Sequence, residues 1–144
     1  MNNLFENIFS SRDLYHSLMT PVCEKYGITH TELVILLFLA NNPKLDTATD
    51  IVEKHRITKS SVSMSVRVLQ ERGLITGEFT DGNHRSIHLR VCEAASRIVK
   101  DGIEAQKRFL SVMTEGFSDQ EKQNLRDYLE RINRNIAAYP GKHK

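Results

Sequence analysis

The chain has 144 residues, about one domain's worth, and its 40% hydrophobic and 26% charged residues are ordinary for a soluble globular protein with a core of its own. Its longest apolar run, from Leu33 to Ala40, is far short of the roughly 20 residues of a membrane span, its start carries no basic segment or cleavage site, and its two cysteines make no disulfide framework, which together predict a cytoplasmic protein without a membrane partner. A net charge of +2 names no partner, and seven Gly with three Pro favour a mostly helical chain.

Leu4, Ile8, Tyr15, Leu18, Val22 and Tyr26 recur at helical spacing and predict one long amphipathic helix over residues 3–26. Pro21 should kink it or end its regular part, and Gly27 is a natural C-cap. Thr29-His30-Thr31-Glu32 is a capping box in front of the apolar run, so a second helix starts near His30 and ends by Asn41-Asn42-Pro43. It is apolar nearly all round and belongs at the centre of the core. Thr47-Ala48-Thr49-Asp50 repeats the capping pattern before a short third helix that ends near His55. Thr58-Lys59-Ser60-Ser61 opens a fourth helix with a narrow stripe of Val62, Val66 and Leu69, closed by Gly73. A short helix, a tight turn and a helix of about four turns form a helix-turn-helix pattern.

The chemistry then changes. Leu74 to Phe79 is β-branched and roughly alternating, Thr80-Asp81-Gly82-Asn83-His84 is a turn cluster, and Ser86 to Val91 alternates polar and apolar. That predicts a β-hairpin with a long tip, and a hairpin placed directly after a helix-turn-helix is a wing. Residues 93–115 are helical, with Ile98, Ile103, Phe109, Leu110 and Met113 on two apolar stripes. A capping box at Ser118-Asp119-Gln120-Glu121 then opens a last helix striped by Leu125, Tyr128, Leu129, Ile132 and Ile136.

Charge is unevenly spread over these elements. Residues 54–72 hold Lys54, Arg56, Lys59, Arg67 and Arg72 against Glu71 alone, a local charge of +4 on a chain of +2. A basic patch on a nearly neutral protein is the footprint of a phosphate-binding surface, although a solvated helix face gives the same count.

Thr58-Lys59-Ser60-Ser61-Val62, then Leu69-Gln70-Glu71-Arg72-Gly73-Leu74-Ile75, then a turn with Arg85 and an alternating strand, resemble the MarR family of dimeric transcriptional regulators. Gly27-Ile28-Thr29 and Phe117-Ser118-Asp119-Gln120-Glu121 are similar to the family's entries into its second and last helices. The resemblance implies a mainly α fold with a small β-hairpin wing. Residues 30–92 would form the winged helix-turn-helix lobe, and residues 1–29 with 93–144 a helical dimerisation region. It also implies a ligand-responsive repressor that binds a pseudo-palindromic double-stranded DNA operator as a homodimer. The chain departs from the pattern at Asn83, where the family has a wing aspartate, and at Met64, where it often has arginine. It departs again at Arg67 for aspartate, at Arg56 for a turn glycine and at Cys92 for a threonine.

Small polar side chains at the start of a helix let its backbone approach base edges, and neighbouring cations hold phosphate or guanine. Thr58, Lys59, Ser60, Ser61, Ser63, Met64, Ser65 and Arg67 occupy that helix. Serine is a mediocre helix former, so its density here asks for a reason beyond capping. Arg85 suits a narrow minor groove, with Asn83 and His84 beside it, and Lys54 and Arg56 suit phosphates. An aromatic or phenolic effector, which the resemblance implies, would be lined by Tyr15, Tyr26, Phe38, Phe109 and Met113, all of which fit a plain core equally well.

Six histidines make no close ligand motif, and the one junction where ligands meet in principle is Cys23, Glu24 and His30. Cys23 has Lys25 as its only nearby cation, so a buried structural thiol is the simpler reading. No metal, cofactor or catalytic motif is expected, and the chain does not read as an enzyme. The rival readings are a winged-helix module for protein–protein contact and a redox- or metal-sensing regulator on the same fold.

Overall fold

The structure, a computed structural model, describes residues 3–80 and 83–141, with the backbone alone for Thr80, Asn83, His84 and Arg85. Six helices and a hairpin follow in the order α1 (Asn3–Tyr26), α2 (His30–Asn41), α3 (Ala48–His55), α4 (Lys59–Glu71), β1 (Ile75–Thr80), β2 (Asn83–Val91), α5 (Ser96–Met113) and α6 (Asp119–Ala138). The fold is mainly α with a two-stranded antiparallel wing. No described helix is long and apolar enough to cross a membrane.

Contacts divide the chain into two compact units, Met1–Phe109 and Leu110–Lys144. In the first, α1 runs through Pro21 without ending there. It stops at Gly27, whose φ of 62° lets the Ile28 N–H reach the Cys23 carbonyl at 3.0 Å. The lost Pro21 hydrogen bond is offset by burial of its neighbours Met19, Val22 and Cys23. In the reciprocal box that opens α2, the Glu32 N–H bonds Thr29 Oγ1 at 3.0 Å and the Thr29 N–H bonds Glu32 Oε1 at 3.1 Å. This accounts for a carboxylate that is only 7% exposed.

From that start α2 runs through the middle of the lobe with Leu33 and every residue from Ile35 to Leu39 buried. Ile51 of α3, Val62 and Leu69 of α4, Leu74, Ile75 and Leu89 of the hairpin, and Ile98 and Ala105 of α5 complete its surroundings. Each fully buried Leu or Ile contributes about 1.5–3 kcal/mol. Gly102 sets the approach of α5, because a Cβ there would lie 2.7 Å from Leu37 Cδ2.

The hairpin pairs Ile75 with Val91, Gly77 with Leu89, Glu78 with His88 and Thr80 with Asn83. Pairing thus continues beyond Phe79, and the strands leave only residues 81 and 82 between them where the alternation predicted a long tip. A register irregularity between Glu78 and Thr80 absorbs the difference. Helix α5 also starts differently from expectation. Cys92 supplies no side-chain cap, and a 3-10 turn at Glu93–Ala95 precedes α5.

In the second unit, Gly116 has a φ of 81° and Ser118 forms its capping box with Glu121. Helix α6 buries none of its residues, and Tyr128, Leu129, Ile132 and Ile136 remain exposed along one stripe.

Candidate nucleic-acid interface

Helix α3 ends at Arg56, whose N–H closes on the Val52 carbonyl at 2.9 Å. Its backbone is left-handed, φ 54° and ψ 35°, a conformation in which only glycine escapes a steric cost. That conformation turns the chain into α4 and leaves the Lys54 and Arg56 side chains exposed. Thr58 caps α4 by accepting the Ser61 N–H at 3.2 Å and donating its own hydroxyl to Ser61 Oγ at 2.9 Å. Ser60 Oγ stands 3.3 Å from Thr58 Oγ1, so the first turn presents a linked group of hydroxyls.

Thr58, Lys59, Ser60, Ser61, Ser63, Met64 and Arg67 are all exposed along α4. Ser65 is not: at 8% exposure it shares the buried face with Val62 and Leu69, to which spacings of three and four residues assign it. Ser63 lies beside the wing, on a groove of about 310 Å³ shared with Val66, Gln70 and Ile87. Arg67 Nε is 4.0 Å from Glu71 in an exposed pair, too weak to occupy the guanidinium. Arg72, the fifth cation of the basic stretch, has another role. Its two terminal nitrogens donate to the Gly27 and Tyr26 carbonyls, each at 3.0 Å, and tie the end of α4 to the end of α1. The side chains of Asn83, His84 and Arg85 lie outside the described residues, and only their place in β2 is fixed.

A cavity of about 610 Å³ opens between α1 and α2, with Phe9, Arg12, Asp13, Tyr15, His16 and Met19 on one side, His30, Leu33, Val34 and Leu37 on the other, and Phe109 of α5. Of the expected effector liners it contains Tyr15 and Phe109, which meet edge to face at 5.2 Å. Gln106 donates to the Tyr15 hydroxyl at 3.0 Å. Tyr26 is elsewhere: its hydroxyl donates to Asp101 Oδ2 at 2.6 Å, and Lys25 Nζ meets the same oxygen at 2.9 Å. The Tyr26 hydroxyl and then the Lys25 ammonium hold the Asp101 carboxyl below its usual range. Phe38 is buried in the core, edge-on to His55 at 5.1 Å, and burial pushes the His55 imidazole below its ordinary value. Met113 is exposed and belongs to the second unit.

His16 and His30 stack on each other at the cavity with centroids 3.8 Å apart, and His30 Nε2 lies 3.2 Å from Thr20 Oγ1. Sequence spacing gave no sign of this pair, because packing of α1 on α2 brings together residues fourteen positions apart. His30 does not join Cys23 and Glu24, and no three ligand-type side chains cluster among the described residues. Burial, reinforced by Glu32 and Glu24, pushes the Cys23 thiol up and away from reactivity.

The MarR family model matches residues 26–86, from the end of α1 into β2. A putative MarR family transcriptional regulator from Listeria monocytogenes, solved in complex with a 26mer DNA, superposes with a TM-score of 0.79 at 20% identity, over 95% of this chain and 91% of that one. BpsR of Bordetella bronchiseptica, whose DNA binding is regulated by 6-hydroxynicotinic acid, gives 0.69 at 12% identity over 91% and 98%. NadR in complex with 4-hydroxyphenylacetate gives 0.74 at 18% over 88% and 89%. A comparison with curated proteins finds no match. The family model thus spans the helix-turn-helix and the first half of the wing, and the chain shares the fold of these solved regulators through both flanks.

Proposed function

We propose that this chain is a sequence-specific DNA-binding transcriptional regulator that represses as a homodimer and releases DNA when a small aromatic ligand binds. The carrying observation is the exposed face of α4, where Lys59, Ser60, Ser61, Ser63, Met64 and Arg67 stand clear of the core next to Lys54 and Arg56. Hydroxyls and cations on one helix face suit a major groove, and Met64 offers an apolar contact for a thymine methyl. A protein-docking module would need no such cationic face. The Listeria relative's DNA complex supports the same reading. The exposed stripe of α6 supports a dimer, whose two α4 helices would address half-sites roughly 10 base pairs apart. The cavity beside Tyr15 and Phe109 is of ligand size, and the aromatic ligands of BpsR and NadR support an aromatic effector there.

Selection of duplexes from a random-sequence pool by the full chain, followed by affinity measurements across a salt series, tests the proposal. One motif with two-fold symmetry should emerge. Ser61→Ala and Ser63→Ala should change which sequences bind, by about 1–3 kcal/mol per lost base contact. Arg85→Ala should weaken many sequences alike and flatten the salt dependence. Recovery of no enriched sequence, or a monomer by sedimentation at micromolar concentration, overturns it.

A further inference from the structure

An isolated two-stranded hairpin is marginal in water, so the direction of the wing depends on what holds it from outside its own ladder. Its base is buried through Leu74, Ile75 and Leu89, which fixes where the wing starts rather than where it points. Among the described residues, two further tethers leave β2, and both end on one residue. The Leu89 N–H donates to the Asp46 carbonyl at 2.8 Å, and His88 Nδ1 lies 2.7 Å from Asp46 Oδ1. A carboxylate only accepts, so Nδ1 carries the proton of this bond. Asp46 directly precedes Thr47, the residue whose side chain caps α3. Two attachments from consecutive residues define an angle, whereas one alone would leave the hairpin free to swivel.

The carboxylate on that face of the hairpin is already engaged. Glu78 is paired across the strands with His88 in register, and its Oε1 accepts from Arg90 at 2.7 Å. Among the described residues, Asp46 is the hydrogen-bond partner that connects this face to the start of the helix-turn-helix. Both Asp46 and His88 are half-buried, which shields their bond from competition with water.

We propose that Asp46, through its bond to His88, is a positioning residue that sets the angle of the wing against α3 and α4 and thereby its reach onto DNA. This rests on the DNA-binding reading above. The residue pair touches no base or phosphate in this proposal; it acts through the hairpin.

The test uses the full chain as Asp46→Ala, His88→Ala, the double variant, and Asp46→Asn, which keeps the accepting oxygen. Amide hydrogen exchange without DNA reads the anchoring directly. Affinity for a random-sequence duplex over a salt series reads the reach. Asp46→Ala and His88→Ala should each speed exchange along β1 and β2 and weaken DNA about tenfold. Their salt slope should fall toward that of Arg85→Ala, the double variant should lose no more than either single one, and Asp46→Asn should restore most of the loss. Wild-type exchange and salt slope in Asp46→Ala overturn the proposal, as does an Asp46→Asn variant as impaired as Asp46→Ala. If the wild type binds no duplex, the DNA reading has failed, while the exchange data still decide whether Asp46 anchors the wing.

Discussion

Arg56→Gly should make the protein more stable and its DNA binding weaker. Arg56 holds φ 54° and ψ 35°, and a left-handed non-glycine residue carries about 1–2 kcal/mol of steric cost. Glycine removes that cost but gives the unfolded chain more freedom, a loss of about 0.4–1 kcal/mol. The difference is a net gain of roughly 0.5–1 kcal/mol. The Arg56 N–H to Val52 O bond of 2.9 Å is backbone and survives the change. The guanidinium is exposed and has no partner to lose among the described residues. Its removal should cost one phosphate contact and lower the slope of log affinity against log salt by about 1. Urea denaturation gives the first quantity and titration of a fluorescent duplex at several salt concentrations gives the second. A lower urea midpoint would show that the turn is not strained. An unchanged salt slope would show that Arg56 stands away from the DNA.

Gly102→Ala should destabilise the lobe: the new Cβ meets Leu37 Cδ2 at 2.7 Å and Cδ1 at 3.0 Å inside a filled core, and overpacking of about 1–3 kcal/mol exceeds the roughly 1 kcal/mol gained in helix propensity. A higher melting temperature for this variant would contradict the close approach of α5 to α2. His55 contributes a pH dependence. Its folded value lies below the ordinary one, so the unfolded chain binds the proton more readily, and stability should fall as pH drops below about 6.5 toward the folded value. His55→Gln should flatten that part of the stability profile, and an unaltered profile would refute the assignment. Cys23→Ser should leave DNA binding equally insensitive to peroxide, since burial disfavours the Cys23 thiolate. Peroxide that releases DNA from the wild type and not from the variant would reverse this conclusion.

Local chemistry determined most of the element boundaries. The capping boxes at Thr29, Thr47 and Ser118 start α2, α3 and α6 where their side-chain bonds form, and Gly27 and Gly73 end α1 and α4 in the left-handed region. These signals are readable because each depends on residues within one turn of the boundary. The apolar run of α2 likewise announced its central place, since a helix without a polar face has nowhere else to go.

Only the tertiary structure decided what each polar group in those elements faces. It assigned Ser65 to the buried side of α4 and turned Arg72 from a member of the basic patch into a tie to the end of α1. It separated Tyr15 and Phe109, at the cavity, from Tyr26 on Asp101 and Phe38 in the core. It also joined Asp46 to His88 and stacked His16 on His30. Composition and periodicity fix a side chain's face on its own helix or strand. Its partner depends on how that element crosses the next, and crossing is set by packing among residues far apart in the chain.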